Sequence, residues 1–486
     1  MFDLVVRNGV VVTASDTFEC DLGIADGTIV AMARALPKQA REFDAKGNFV
    51  LPGGIDSHVH LDQESAETGA KSANDFFSGT VSAACGGTTT VIPFARQIKG
   101  GSVREAVDEY HTRAANKAVI DYAFHVIVTD PTTQALGQEL PALAADGYTS
   151  IKFYMTYDSM KLRDTEILDV LEFCRREGVM PMVHAENADC IQWLTAKMLS
   201  RGLVHPRYKG VVHNPIVERD AATRAINYAE LADVPLLIVH VATAETAEQI
   251  RIARSRGLKI IGETCPQYLF LTERDLNKEA VEAAKCICAP PPQSEENRTK
   301  MWRHLEIGSF QVFSSDHAPF RMDAPDGKFV QGRAAPFSKI TNGLPGVELR
   351  MPLLFSEGVQ TGRITINEFV AQTATNAAQI YGLHPKKGTI CIGADADIAI
   401  WDPDKNVRVS TSILHDEMDY TPYEGVEVKG WPTAVFARGK LVCQDFKFCG
   451  EKGAGEFLRC ARPNKPKADD YAIALANRFI SFRCES

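Results

Sequence analysis

The sequence predicts an α/β protein, a TIM (β/α)8 barrel with a smaller β-sandwich domain formed from both chain ends. Three observations carry this expectation. Eight short, mostly apolar runs lie at 53–60, 88–94, 121–128, 149–154, 180–185, 235–241, 259–264 and 310–315, and helical patterns separate them. Continuous apolar runs are what parallel strands buried on both faces require, and eightfold strand–helix alternation suggests a closed barrel. Outside this block the chain reads as short strands and turns. A length of 486 residues leaves room for a large barrel and a second, smaller domain.

The elements follow in chain order. Leu4–Val12 carries Asn8-Gly9 between β-branched runs, which predicts a hairpin. Asp26-Gly27 predicts another within Asp21–Val30. Asp164–Cys174 and Glu245–Ala253 place apolar residues at helical spacing. Gly393–Trp401 and Ala434–Val442 return to the strand pattern, so residues 1–52 and 385–455 are expected to make the small β domain around a barrel of 53–384. Residues 456–486, with Arg462-Pro463-Asn464-Lys465-Pro466-Lys467, read as a C-terminal extension, a loose tail or a subunit clasp.

Composition narrows the function. The apolar share is 45%, the charged share 24% and the net charge -9. No basic stripe appears, which argues against nucleic acid as a partner. No apolar run approaches the ~18 residues needed to span a bilayer, and the N-terminus lacks the layout of a signal peptide. A cytoplasmic protein that binds no membrane is expected, its twelve cysteines held as reduced thiols.

The strand ends carry the chemistry. The first run, Pro52-Gly53-Gly54-Ile55-Asp56-Ser57-His58-Val59-His60, ends in His-x-His. Residues i and i+2 of a strand share a face, so both imidazoles can reach one metal ion. Further strands end around Lys152, His184, His240 and Asp316. In a TIM barrel the C-terminal strand ends form the active site. Each residue also has a plainer reading: a histidine satisfied in the core, an aspartate capping the next helix, a lysine snorkelling to solvent. Convergence of six suggests a hydrolase with two metal ions. Beside a metal, Asp316 can take a proton from attacking water and deliver it to a leaving nitrogen. Lys152 in an apolar strand near two cations would have a lowered pKa, and its neutral amine can add carbon dioxide to become a carbamate, N6-carboxylysine.

These motifs, with Gly86-Gly87-Thr88-Thr89-Thr90, Lys152-Phe153-Tyr154-Met155-Thr156-Tyr157, His184-Ala185-Glu186-Asn187, Ser315-Asp316-His317 and Asn342-Gly343, resemble the amidohydrolase superfamily. Within it they resemble the dihydropyrimidinase/D-hydantoinase family of cyclic amidohydrolases, over nearly the whole chain. The resemblance implies two divalent metal ions per subunit, usually zinc, with His58, His60 and Asp316 on one, His184 and His240 on the other, and carboxylated Lys152 and a hydroxide bridging them. It implies that Tyr157 hydrogen-bonds the attacked carbonyl oxygen and that Ala289 and Asn342 contact the ring. It implies a small cyclic amide substrate, a 5,6-dihydropyrimidine or 5-substituted hydantoin opened to an N-carbamoyl amino acid, and a homotetramer.

Two departures stand out. Ala289-Pro290-Pro291 replaces the family's Ser-Pro-Pro, and the loop Leu61–Gly69 is acidic where many members carry an aromatic segment. That loop is expected to border the pocket for the exocyclic group. Asp62 stands where dihydroorotases carry an arginine for a substrate carboxylate. The alternatives are an allantoinase-like enzyme acting on another cyclic ureide and a non-catalytic dihydropyrimidinase-related scaffold, whose members have lost metal ligands.

Overall fold

The computed structural model describes residues 2–39, 41–465, 467, 473, 475 and 476. Strands β1 (Leu4–Val12), β2 (Thr17–Ala25), β3 (Thr28–Ala33), β4 (Glu42–Asp44) and β5 (Phe49–Pro52) precede the barrel. The barrel strands are β6 (Gly54–Val59), β7 (Thr88–Arg96), β8 (Asp121–Tyr122), β9 (His125–Ile127), β10 (Ser150–Tyr154), β11 (Met180–His184), β12 (Leu236–Ile238), β13 (Ile260–Thr264) and β14 (Val312–Phe313). After it come β15 (Ile398–Arg408), β16 (Glu427–Ala437), β17 (Lys440–Gln444) and β18 (Lys447–Phe448).

The central sheet runs β14-β13-β12-β11-β10-β9-β7-β6, parallel throughout, with β8 pairing β7 as a first fragment of the third barrel strand. Closure comes where β6 meets the chain just after β14. Val59 bridges His317, and His60 N–H donates to His317 O at 2.7 Å. Asp56 reinforces the seam, its Oδ1 accepting from Ser315 N–H at 3.1 Å. Every residue of β10 and β11 is buried, as expected of strands covered by side chains inside and helices outside. Inward residues such as Phe94, Ile127, Met182, Leu237 and Val312 fill the interior as one cluster.

The chain ends form one nine-stranded sheet in the order β18-β17-β16-β15-β5-β1-β2-β3, with β4 also paired to β1. Leu4, Leu22, Val50, Ile398, Ala434 and Phe436 pack into one core, so this sheet wraps around its own interior as a sandwich does. Asp26-Gly27 makes the expected hairpin turn, with φ of 49° and 73°, the paired positive values that two-residue hairpins favour.

Asn8-Gly9 does not turn the chain, contrary to expectation. It is a bulge within β1: the register with β2 shifts between Val6 and Gly9, and Asn8 has φ 52°. The bulge lets one strand serve two partners, Val5–Arg7 pairing with β4 and Val10–Val11 with β5. A Cβ on Gly9 would fall 2.2 Å from Val50 Cγ2, so this crossing requires glycine.

The described part of the C-terminal extension is not loose. Tyr122 N–H donates to Glu456 O, Leu458 N–H to Tyr122 O and Cys460 N–H to Gly147 O. These contacts lie at the starts of barrel strands, opposite the end that carries the histidines. The same holds within Arg462–Lys467, where Asn464 N–H donates to Gly178 O at 3.2 Å and Arg462 Nη1 lies 3.2 Å from Glu177 Oε2; most of the rest of the tail read as a clasp lies outside the described residues. The described cysteines are free thiols. No helix among the described residues is long and apolar enough to cross a membrane.

Candidate functional site

The six residues expected as ligands converge at the C-terminal end of the barrel. His58 Nε2 lies 2.9 Å from Lys152 Nζ and 3.3 Å from Asp316 Oδ1, and His60 Nε2 lies 3.4 Å from that same oxygen. His240 Nε2 sits 2.9 Å from His184 Nδ1, and the His58 and His240 rings are 5.3 Å apart. Their positions follow from the strands. Lys152 is inside β10, where it faces the interior with Tyr154, two residues on. His184 closes β11, His240 lies two residues past β12, and Asp316 three past β14.

Each histidine is oriented by a partner on its other nitrogen or by ring contacts. His58 Nδ1 meets Glu263 Oε1 at 2.6 Å, His60 Nδ1 meets Gln63 Oε1 at 2.6 Å, and His184 Nε2 meets Glu186 Oε2 at 2.7 Å. These contacts leave His58 Nε2, His60 Nε2 and His184 Nδ1 turned towards Lys152, Asp316 and His240, as orienting partners do at metal centres. Phe94 supports the pair from the side, its ring 4.8 Å from His58 and 5.1 Å from His60. His240 Nδ1 is buried without a partner.

The electrostatics suit a cation. Burial, then the Lys152 charge, pushes His58 well below the ordinary histidine pKa; burial, then His184, does the same to His240. Neutral imidazole is the form that ligates metal. Burial lowers Lys152 to about 8, against the opposing pull of Asp316 and Glu263. Burial pushes the Asp316 carboxyl up, but His58, His60 and Lys152 together bring it below the usual carboxylate range. His58, His60 and Asp316 each offer one ligand atom, all within 4.8 Å of one another. The donor set therefore fits a divalent cation. Imidazole and carboxylate donors suit zinc, cobalt or manganese.

Three residues here hold left-handed backbone although none is glycine: His240 at φ 37°, Asp316 at φ 49° and Tyr157 at φ 65°. Such conformations cost about 1–3 kcal/mol each and cluster at functional sites.

One cavity contains Lys152, His60, His184, His240 and Asp316 together with Tyr157, Ala289 and Asn342. The Tyr157 ring lies 5.3 Å from that of His184, and burial holds its phenol well above the ordinary pKa. Asn342 Nδ2 donates to Glu67 Oε2 at 2.8 Å, while Asn342 Oδ1 is buried without a partner. The acidic loop does border this cavity, through Gln63, Glu64, Ser65, Ala66 and Glu67.

Sequence reasoning gave no role to Glu263, Gln63 or Glu186. Glu263 had a usable signal, a carboxylate in the otherwise apolar run Ile260-Ile261-Gly262-Glu263. Gln63 sits in a polar loop where nothing marks it out. Glu186 stands two residues after His184 and also meets His213 Nδ1, at 2.7 Å.

Comparison with known proteins agrees with this geometry. The family model described as "Amidohydrolase family" matches residues 49–442. The chain is 40% identical to a D-hydantoinase of Ralstonia pickettii over 458 residues, 94% of this chain and 98% of that protein. It is 41% identical to a D-hydantoinase of Geobacillus stearothermophilus, over 97% of this chain and 99% of that one. Among solved structures, a dihydropyrimidinase from Brevibacillus agri superposes with a TM-score of 0.92 at 39% identity, covering 95% of this chain and 99% of that one. A family match over most of the chain and full-length relatives near 40% identity lead to one conclusion: the chain belongs to the amidohydrolase family, in its D-hydantoinase/dihydropyrimidinase branch.

Proposed function

We propose that this protein is a metal-dependent hydrolase that opens the ring amide of 5,6-dihydropyrimidines or 5-substituted hydantoins, releasing N-carbamoyl amino acids. The observation that carries the reading is the gathering of His60, His184, His240, Lys152 and Asp316 around one cavity that also holds Tyr157 and Asn342, with His58 buried directly against Lys152 and Asp316. The printed names of the relatives, D-hydantoinase and dihydropyrimidinase, support the same substrates.

In this reading His58, His60 and Asp316 would hold one divalent ion and His184 and His240 a second. Lys152, carrying carbon dioxide as N6-carboxylysine, would supply a further anionic ligand. Zinc is the metal proposed. When bound, such ions polarise a carbonyl and make water more acidic. The protein's own groups do the rest. Asp316, ionised at neutral pH, accepts the proton of the attacking water and passes it to the departing ring nitrogen. Tyr157, kept protonated by burial, donates to the developing oxyanion. The unpartnered Asn342 Oδ1 accepts from the ring N–H, and the backbone at Ala289 lies against the ring. Glu263, Gln63 and Glu186 fix the imidazoles.

The proposal extends to assembly and location. A homotetramer in the cytoplasm is supported by the family resemblance.

The test is hydrolysis of dihydrouracil and of 5-substituted hydantoins, each enantiomer separately, by protein of measured metal content. Ring opening with about two metals per subunit is expected. Full metal loading without turnover of any such ring would overturn the substrate assignment, and inability to bind metal would overturn the mechanism.

A further inference from the structure

A second cavity adjoins the first. Tyr157 and Glu67 line both, and Lys209, His213, Ile191 and Phe337 line the second. Lys209 is the unusual member. It is 5% exposed, yet its Nζ makes no hydrogen bond or ion pair among the described residues. The fold treats its other buried lysines differently. Lys387 meets Asp121, Asp397 and Asp395 at 2.6, 2.8 and 2.9 Å. Lys328 donates to Ile287 O and Gly343 O at 3.0 and 2.6 Å. Lys209 instead lines the cavity, so its amine is available as a donor to whatever enters.

Its surroundings restrict what can enter. Glu67 is the strongest charge acting on Lys209, followed by Glu186. Asn342 fixes the Glu67 carboxylate at 2.8 Å. An anionic group would satisfy Lys209 but face Glu67, and a cationic group would do the reverse. An alkyl or aryl group would leave the Lys209 amine without an acceptor. A neutral group with a carbonyl oxygen at one side and N–H at the other satisfies both. Resting on the ring-opening reading above, we infer that this cavity is the subsite for the substrate's exocyclic substituent, and that Lys209 and Glu67 select a neutral carboxamide or ureido group. Lys209 donates to its carbonyl oxygen and Glu67 accepts from its N–H. Asn342 couples the two subsites, because its Nδ2 holds Glu67 while its Oδ1 faces the ring.

The experiment compares kcat/KM of the full-length, metal-loaded protein for hydantoins bearing hydrogen, isopropyl, phenyl, carboxymethyl, carbamoylmethyl and ureido groups at position 5. The carbamoylmethyl and ureido compounds are expected to exceed the isopropyl compound by about tenfold or more, the discrimination that paired buried polar groups supply. Lys209→Met should bring that ratio towards one. Glu67→Gln, on an exposed loop where folding is not at stake, should lower it by about threefold. A wild-type preference for isopropyl or phenyl overturns the inference, as does a preference for carboxymethyl or a ratio that survives both substitutions. The unsubstituted hydantoin separates the two levels. If wild type opens it without any preference among substituents, the subsite falls and the ring chemistry stands; if no ring is opened, both fall.

Discussion

Glu263 and His58 stand 205 residues apart in sequence and meet at 2.6 Å across the barrel mouth. Glu263 Oε1 also accepts from His240 N–H at 3.0 Å. One carboxylate oxygen therefore sets the imidazole of one proposed ligand and the backbone of another, linking the two proposed metal positions. Glu263→Gln keeps the shape but weakens acceptance from the His58 ring. Metal affinity should fall about 10–100-fold, read by chelator competition. An unchanged affinity would remove Glu263 from this role.

Asp316 is proposed both to ligate and to move the proton. Asp316→Asn preserves volume and one oxygen but removes the base. In protein reloaded to full metal content, kcat should drop by about 10²–10⁴ with the thermal midpoint nearly unchanged. Turnover within a few fold of wild type at equal metal content would assign the proton transfer elsewhere.

Tyr157 projects from a residue at φ 65°, a strained position that fixes where its hydroxyl points. Tyr157→Phe removes the hydroxyl alone. The expected result is a loss of about 10²–10³ in kcat with metal content and KM little changed. A rise in KM at constant kcat would make Tyr157 a binding group only.

How much of this was legible in the sequence depends on what each residue had to do. The barrel strands could be read because parallel strands buried on both faces leave long apolar runs, and the ligands because polar residues interrupt those runs at their ends. Asn8-Gly9 was misread because Asn-Gly tolerates positive φ equally in a turn and in a bulge; only the pairing of β1 with both β4 and β5 decides between them. Gln63 and Lys209 were invisible for another reason. Their significance lies in contacts, or missing contacts, with distant residues, and neither has a spacing signal. The third barrel strand shows a further limit: one apolar run at 121–128 is split into β8 and β9 at Ala123-Phe124, a break of hydrogen bonding that apolarity does not record.

The barrel seam gives a stability prediction. Asp56 is fully buried, with Oδ1 accepting from His58 N–H at 3.3 Å and Ser315 N–H at 3.1 Å and Oδ2 3.5 Å from Arg350 Nε. Asp56→Ala unties β6 from the chain after β14 and leaves the Arg350 charge buried without its carboxylate. The cost should be about 3–5 kcal/mol, read by denaturant titration. The double variant Asp56→Ala, Arg350→Met should recover part of it, because the stranded charge goes too. A single-variant loss under about 1 kcal/mol would show that backbone pairing alone closes the barrel.

His415 ties the barrel to the small sheet in a pH-dependent way. Its Nδ1 lies 2.9 Å from Glu348 Oε1, its backbone N–H donates to Glu348 Oε2 at 2.8 Å, and its Nε2 donates to Phe446 O at 2.9 Å. The hydrogen bond to Glu348 leads in raising its pKa from 6.5 to about 9, against a smaller opposing effect of burial. The folded protein thus holds this proton where the unfolded chain has released it. With more protons bound in the native state, stability falls as pH rises. The contribution is full below the unfolded value of 6.5 and lost as pH climbs through about 9. Part of the interaction is exposed to solvent, so salt should weaken it. His415→Gln keeps hydrogen bonding but cannot titrate. Across this window the wild-type thermal midpoint should fall towards that of the variant, the gap being widest near pH 6.5 and narrowest above pH 9. A gap that stays constant over the whole range would mean that His415 acts through packing rather than charge.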